Sequence, residues 1–208
     1  MTTIAVLSNS HDQIANPRTA VRIANEAHAD ILLHCGDLIS PFMLKQLALF
    51  DGPVHLIFGN NAGDRELIRE YCNNRYQTIT HHDKQANFCF HDYAIAMVHY
   101  PAEAKELAST GNYDLVCFGH NHRFETTMNQ NTLLLNPGHL LGENHEGGCA
   151  LVRFPQKTVE RIIINGCMFD HEISVTRHTP LQPGRQPQSD RQISLHHLQL
   201  TEPPEERP

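Results

Sequence analysis

Three short apolar runs, each followed by a stretch with helical spacing, constrain this chain most. They are Thr3-Ile4-Ala5-Val6-Leu7, Asp30-Ile31-Leu32-Leu33-His34 and Val54-His55-Leu56-Ile57-Phe58. A near-continuous apolar run of this length reads as a strand covered on both faces. Between the first two, Val21, Ala24, Ala27 and His28 trace one face of a helix expected over residues 17–28. Asn16 suits its N-cap and Pro17 its first helical position. A second helix is expected from Pro41, after Ser40, carrying Met43, Leu44, Leu47 and Ala48. A third is expected over 64–73, with Leu67, Ile68 and Tyr71 inward. The order β-α-β-α-β-α implies a mainly parallel sheet with right-handed crossovers.

From Asn87 the rhythm changes. Phe88-Cys89-Phe90 and Ala94-Ile95-Ala96-Met97-Val98 read as a hairpin around His91-Asp92. A helix over 102–109 and a strand over 113–118 follow. Then come short strands over 124–128, 132–135, 149–154 and 159–165, suited to antiparallel pairing. The fold class expected is α/β, with two sheets face to face and helices on the outside.

Residues 1–170 are expected to form one domain. Beyond Asp170, six of the 12 prolines fall between Thr179 and Pro208, among Gln, Arg, Ser and Glu. Residues 171–208 therefore read as a Pro-rich, largely irregular tail. The stretch 193–198 is the one there suited to an added edge strand.

The bulk numbers exclude several classes. No stretch reaches the roughly 20 apolar residues of a membrane span. Met1-Thr2-Thr3 runs directly into a strand without a basic leader, so a cytoplasmic protein is expected. The six cysteines are scattered singly without a Cys-x-x-Cys spacing and read as buried, unpaired thiols. The formal charge of −7 and the lack of a Lys/Arg cluster argue against nucleic acid as a partner. Association with a second copy is left open. The 16 histidines are the unusual count; His81-His82 and His196-His197 read as surface residues.

In open α/β sheets, ligands bind beyond the carboxyl ends of the parallel strands. The first strand ends in Ser8-Asn9-Ser10-His11-Asp12 and the second in Cys35-Gly36-Asp37. The third ends in Gly59-Asn60-Asn61-Ala62-Gly63-Asp64, and two later strands end in His99-Tyr100 and Gly119-His120-Asn121-His122. Singly, these are ordinary turn residues. Together they aim His, Asp and Asn at one crevice, which points to a metal centre. Ligation without thiolate suits Mn²⁺, Fe, Zn²⁺ or Ni²⁺.

This order of motifs resembles the calcineurin-like metallophosphoesterases, in particular the small YfcE-like phosphodiesterases of bacteria and archaea. The likeness spans about residues 3–166 and rests on the strand-end motifs together with His34-Cys35-Gly36-Asp37, Gly59-Asn60-Asn61 and Asn136-Pro137-Gly138. It implies a four-layer αββα sandwich with two facing mixed β-sheets. It also implies two divalent metal ions bridged by an aspartate and a hydroxide, with Mn first and Ni, Fe or Zn as alternatives. By the same resemblance Asp37 is the bridging carboxylate. Asn9, His11 and His122 complete one metal site; Asn60, His99 and His120 complete the other. Asn60, His99 and His120 would also act in catalysis, with Asn60 touching the substrate phosphate. Asn136-Pro137-Gly138 would turn near the crevice, and His139 would extend toward substrate.

There are three departures from the family pattern. Asn9 stands where Asp is usual; an amide coordinates through its carbonyl oxygen but brings no negative charge. Asn61 stands where many relatives carry a His that protonates the leaving group. Tyr100-Pro101 follows His99 where Gly is usual; Tyr100 either narrows the pocket or packs against the helix that Pro101 begins, and packing is the reading adopted.

The function implied is metal-dependent hydrolysis of a small phosphoester, a phosphodiester before a monoester, by in-line attack of an activated water. No Gly-x-Ser-x-Gly elbow or Gly-x-x-x-x-Gly-Lys loop offers another route. The rival is a binding or scaffold protein that keeps the fold with weakened catalysis, a route shown by the retromer subunit that shares this fold. Asn9 favours the rival and the intact remaining motifs disfavour it.

Overall fold

Alternation along the first strand sets the layering. In the computed structural model, which describes residues 1–142, 147–166, 173–180 and 193–195, β1 (Thr2–Leu7) is buried throughout. Its Ala5 and Leu7 face one core, and Ile4 and Val6 face another. A strand whose two faces are both covered needs apolar residues at every position, which is why the run is continuous.

The larger sheet has the order β13-β12-β11-β10-β1-β2-β3-β4. β1, β2 (Ile31–His34), β3 (Val54–Leu56) and β4 (Ile79–His81) are parallel, and β10 (Gly148–Phe154) pairs antiparallel to β1. The smaller sheet runs β5-β6-β7-β9-β8. Its members are β5 (Gln85–Phe90), β6 (Tyr93–Val98), β7 (Leu115–Cys117), β8 (Phe124–Asn129) and β9 (Thr132–Pro137). β6, β7 and β9 are parallel to one another, and β5 and β8 pair antiparallel to their neighbours. Both sheets are therefore mixed. Ile4, Val6, Ile31 and Leu33 from one meet Ile95, Met97, Leu115 and Leu133 from the other.

Helices cover the outer faces. The core containing Ala5, Leu7 and Leu32 takes in Ala20, Val21 and Ala24 of α1 (Ala15–Glu26), Leu44 and Leu47 of α2 (Leu44–Leu47) and Ile68 of α3 (Arg65–Asn74). On the far side, Ala104 and Ala108 of α4 (Pro101–Ser109) pack on Val98, Val116 and Phe118. The result is the αββα sandwich.

Several local expectations change. α1 starts at Ala15, and its N-cap is Ile14 rather than Asn16. The side-chain oxygen of Gln13 accepts the N–H groups of Ala15 and Asn16, at 2.7 and 3.3 Å. Asn16 is instead buried, donating to the carbonyls of Leu140 and Gly166. Pro17 is the third helical residue, still within the first turn where no backbone donor is needed. The second helix is one turn of α2 preceded by a 3-10 turn, Pro41–Met43.

β4 was not expected, because three residues give too little alternation to read. Its presence removes His81 and His82 from the open surface. The His81 side chain is 5% exposed, and its ring centroid lies 4.0 Å from that of Phe58. His82 Nε2 lies 2.9 Å from His55 Nδ1, and the His82 ring is stacked parallel to Phe88.

Two strands from beyond Asp170 extend the larger sheet. β12 (Ser174–Arg177) pairs antiparallel to β11 (Thr158–Asn165), and β13 (Ile193–Leu195) pairs antiparallel to β12. Ile173 and Val175 are buried in the helix-side core. Two apolar side chains are too few to lift the composition of a Pro-rich stretch. Cys167, His196 and His197 lie outside the described residues. Four of the other five cysteines are buried and unpaired, whereas Cys89 is exposed.

Candidate metal centre

The carboxyl ends of β1, β2 and β3 from one sheet, and of β6 and β7 from the other, meet at one edge of the sandwich. Backbone hydrogen bonds stitch their loops together. Asn9 N–H donates to Gly36 O (3.0 Å), His11 N–H to Asp37 O (2.7 Å), Gly119 N–H to His99 O (3.1 Å) and Leu140 N–H to Asn9 O (3.1 Å). Asn9, His11, Asp37, His120 and His122 all have left-handed backbone, with φ between 47° and 72°. Such residues cost on the order of 1–3 kcal/mol each and cluster at functional sites. Gly36 has φ +94°, and a Cβ there would stand 2.6 Å from His99 Nδ1. A Cβ on Gly59 would collide with Asp37 Oδ1. Side chains crowd the loops so closely that only glycine fits at these two places.

Asp37 lies at the centre of the group. It is 1% exposed, with Oδ1 3.4 Å from His99 Nε2 and Oδ2 3.8 Å from His11 Nε2. Asn61 braces both oxygens: its N–H donates to Oδ1 (2.8 Å) and its Nδ2 to Oδ2 (2.9 Å). Burial alone would raise the Asp37 carboxyl, yet it is held well below the usual carboxylate range, with both Asn61 donors contributing.

On one side, His99 is 2% exposed, and its Nδ1 lies 2.8 Å from the carbonyl of Cys35. A carbonyl can only accept, so Nδ1 carries the proton and Nε2 is left with a lone pair in the neutral ring. That lone pair faces Asn60 Oδ1 at 3.0 Å, and Asn60 Oδ1 also lies 2.8 Å from His120 Nδ1. Acceptors therefore converge on a small volume. A cation there would relieve them. Ligands about 2.1 Å from a metal and adjacent in its shell stand about 3.0–3.4 Å apart.

On the other side, His11, Asp37 and His122 present donor atoms that all lie within 4.8 Å of one another. His11 Nε2 is buried without a hydrogen-bond partner among the described residues. Asn9 is fully buried; its Nδ2 donates to Gly138 O (2.9 Å), and its Oδ1 accepts the His120 backbone N–H (3.3 Å). Beneath this side, Ser10 Oγ and His34 Nε2 are 2.9 Å apart. Burial pushes the His34 imidazole down to about 3. All seven residues expected at the site are thus in one cluster, and the donor set fits divalent ions of intermediate hardness.

One expectation changes here. Tyr100 stands at the crevice: it is 40% exposed, and its ring meets those of His99 and His120. His139 is 6% exposed, with its ring centroid 5.4 Å from that of His122. Asn136 does organise the turn, donating through Nδ2 to Gly119 O and Asn121 Oδ1 while its Oδ1 accepts Gly138 N–H. The sequence reading missed the supports: Asn61 on Asp37, the carbonyls of Cys35 and Gly138, and the Ser10–His34 pair. A carbonyl has no sequence signature, and only the position of Asn61, beside a candidate ligand, could have drawn attention. A cavity of about 380 Å³ lined by Lys105, Phe118, Glu125, Met128 and Leu134 lies elsewhere, and no candidate ligand lines it.

A family model for the calcineurin-like phosphoesterase superfamily domain matches residues 2–157. Phosphodiesterase MJ0936 of Methanocaldococcus jannaschii is 26% identical over 140 residues, 67% of this chain and 84% of that protein. The solved structure of a novel archaeal phosphodiesterase aligns with TM-score 0.70 and 24% identity, covering 76% of this chain and 97% of that one. Vps29 of Chaetomium thermophilum aligns with TM-score 0.58 and 13% identity, covering 95% and 100% of the two chains. The two structural likenesses speak for the fold. No helix among the described residues is long and apolar enough to cross a membrane.

Proposed function

Because this chain belongs to the calcineurin-like phosphoesterase superfamily, we propose that it is a metal-dependent phosphodiesterase acting on small phosphoesters, with phosphomonoesters as poorer substrates. The observation that carries the metal dependence is the convergence of His99 Nε2, Asn60 Oδ1 and Asp37 Oδ1, with His99 Nδ1 committed to a carbonyl. In this reading Asp37 would be shared by two divalent ions, Mn²⁺ before Ni²⁺, Fe or Zn²⁺. Asn9, His11 and His122 would hold one; Asn60, His99 and His120 would hold the other. When bound, such a pair supplies Lewis acidity and an acidified water for in-line attack at phosphorus.

The chain's own residues do the rest. Cys35 O fixes the tautomer of His99, and Asn61 fixes the rotation of Asp37. Asn60 and His120, at the open side, lie where they can touch a phosphate oxygen. Asn61 is committed to Asp37 and has no acidic proton for a leaving group, so esters of acidic alcohols and phenols turn over fastest. The setting is cytoplasmic, consistent with four buried, unpaired thiols.

The test is hydrolysis of bis-nitrophenyl phosphate with Mn²⁺. Activity should appear with metal, vanish with chelator, and fall at least about a hundredfold in His120→Ala. A second reading rests on Asn9: a neutral amide anchored to Gly138 weakens one ion site, as in a binding or scaffold protein of this fold. Metal-loaded parent and Asn9→Asp protein that are both inert toward phosphodiesters would establish that reading instead.

A further inference from the structure

Tyr100 is a large side chain at the crevice that the chemistry above does not use. It is the N-cap residue of α4, with φ −92° and ψ 138°, and Pro101 restricts the conformation further. Its ring centroid lies 4.8 Å from that of His120 at an interplanar angle of 64°, and 5.3 Å from that of His99 at 74°. Two imidazoles therefore meet the ring in T-shaped contact, while 40% of the residue faces solvent. Its hydroxyl makes no hydrogen bond among the described residues, and none of them accounts for the ring's exposure beside two candidate metal ligands.

An exposed aromatic held edge-on by its neighbours presents a rigid surface to a ligand. Such a ring pairs best with another π-system, offset-stacked or edge-to-face. A phosphate centred among Asn60, His99 and His120 sends an ester substituent out of the crevice past Tyr100. A planar aromatic substituent gains from that surface; a short alkyl one gains little. Resting on the phosphoesterase reading above, we infer that Tyr100 forms the wall of a subsite that selects phosphoesters bearing a planar aromatic group, such as an aryl ring or a nucleobase.

The experiment uses two readouts on the Mn²⁺-loaded full chain. The first is calorimetric binding of phenyl phosphate and ethyl phosphate. The second is KM and kcat for phenyl p-nitrophenyl phosphate and ethyl p-nitrophenyl phosphate, which share a leaving group. The parent should favour the phenyl member at least about fivefold in binding and in KM, as expected for stacking on one aromatic side chain, with kcat alike. Tyr100→Gly should erase the ratio, and Tyr100→Phe should keep it. No preference in the parent, a preference that survives Tyr100→Gly, or one lost in Tyr100→Phe would overturn the wall. Preferential binding without turnover of either diester would leave the wall standing and remove the phosphodiesterase reading. Turnover without preference would do the reverse, and neither binding nor turnover would remove both.

Discussion

His99 and His11 are both imidazoles at strand ends, yet His99 meets the Cys35 carbonyl through Nδ1 and Asn60 Oδ1 through Nε2, whereas His11 Nε2 makes no hydrogen bond among the described residues. The difference extends to their neighbours. Around His99, donor atoms stand 2.8–3.4 Å apart, and the Cys35 carbonyl fixes the ring. Around His11, the donors are spread within 4.8 Å, and the local amide, Asn9, has its Nδ2 on the Gly138 carbonyl. Two groups of candidate ligands of similar residue types therefore differ in preorganisation. A ligand whose outer partner has already set its tautomer and rotation loses less freedom on binding an ion. The His99 half should hold its ion more tightly.

Asp37 faces both halves, so removing it gives the largest expected effect. Asp37→Ala should lower phosphodiesterase activity about a thousandfold and release both ions, counted by elemental analysis after gel filtration. Retention of one full equivalent would show that the halves are independent of the carboxylate, breaking the comparison at its shared point.

The next effect concerns the support beneath the His11 half. His34 is buried as a neutral ring with its folded value near 3, below the ordinary 6.5. Between those values the unfolded chain binds the extra proton. Stability is therefore fully present above about pH 6.5 and declines as pH falls toward 3. Urea melts of metal-free protein at pH 7 and pH 4 should differ by about 3 kcal/mol from this group. His34→Gln should remove that part of the slope; an unchanged slope would discount His34 as its source.

Asn9→Asp sharpens the contrast further. A carboxylate at this place brings a negative charge to the His11 half, so Mn²⁺ affinity there should rise about tenfold by titration. Without metal, the same carboxylate faces the Gly138 carbonyl where an N–H now donates, costing about 1–3 kcal/mol in a denaturant melt. Equal metal affinity in variant and parent would mean that the charge at this position is irrelevant to the ion.

The smallest effect falls on Asn61. Asn61→Ala keeps the backbone N–H to Asp37 and deletes only the side-chain bond. Activity should drop about three- to tenfold, with the pH profile of kcat unshifted, because Asn61 positions a carboxylate and transfers no proton. A loss matching Asp37→Ala would make the side-chain brace as important as the carboxylate.

Much of this molecule is legible in its residues. Residues 4–7 are apolar at every position because β1 is covered on both faces, and that pattern with its helical successors dictates parallel strands and their crossovers. The crevice was legible for the same reason: strand ends are where a chain must turn, and His11, Asp37, Asn60, His99, His120 and His122 stand there with glycines that allow close approach. What the sequence could not carry was the wiring. Asn61 reads as a missing acid and emerges as a brace; Asn9 reads as a weakened ligand and is also the donor to Gly138, 129 residues away. The fixing of His99 by the Cys35 carbonyl has no signature at all, since every residue has a carbonyl and only folding decides which one faces an imidazole. Tyr100 stands at the crevice for the same reason. Local pattern determines which side chains are delivered to an edge, whereas burial and partnership depend on what the other sheet brings against them.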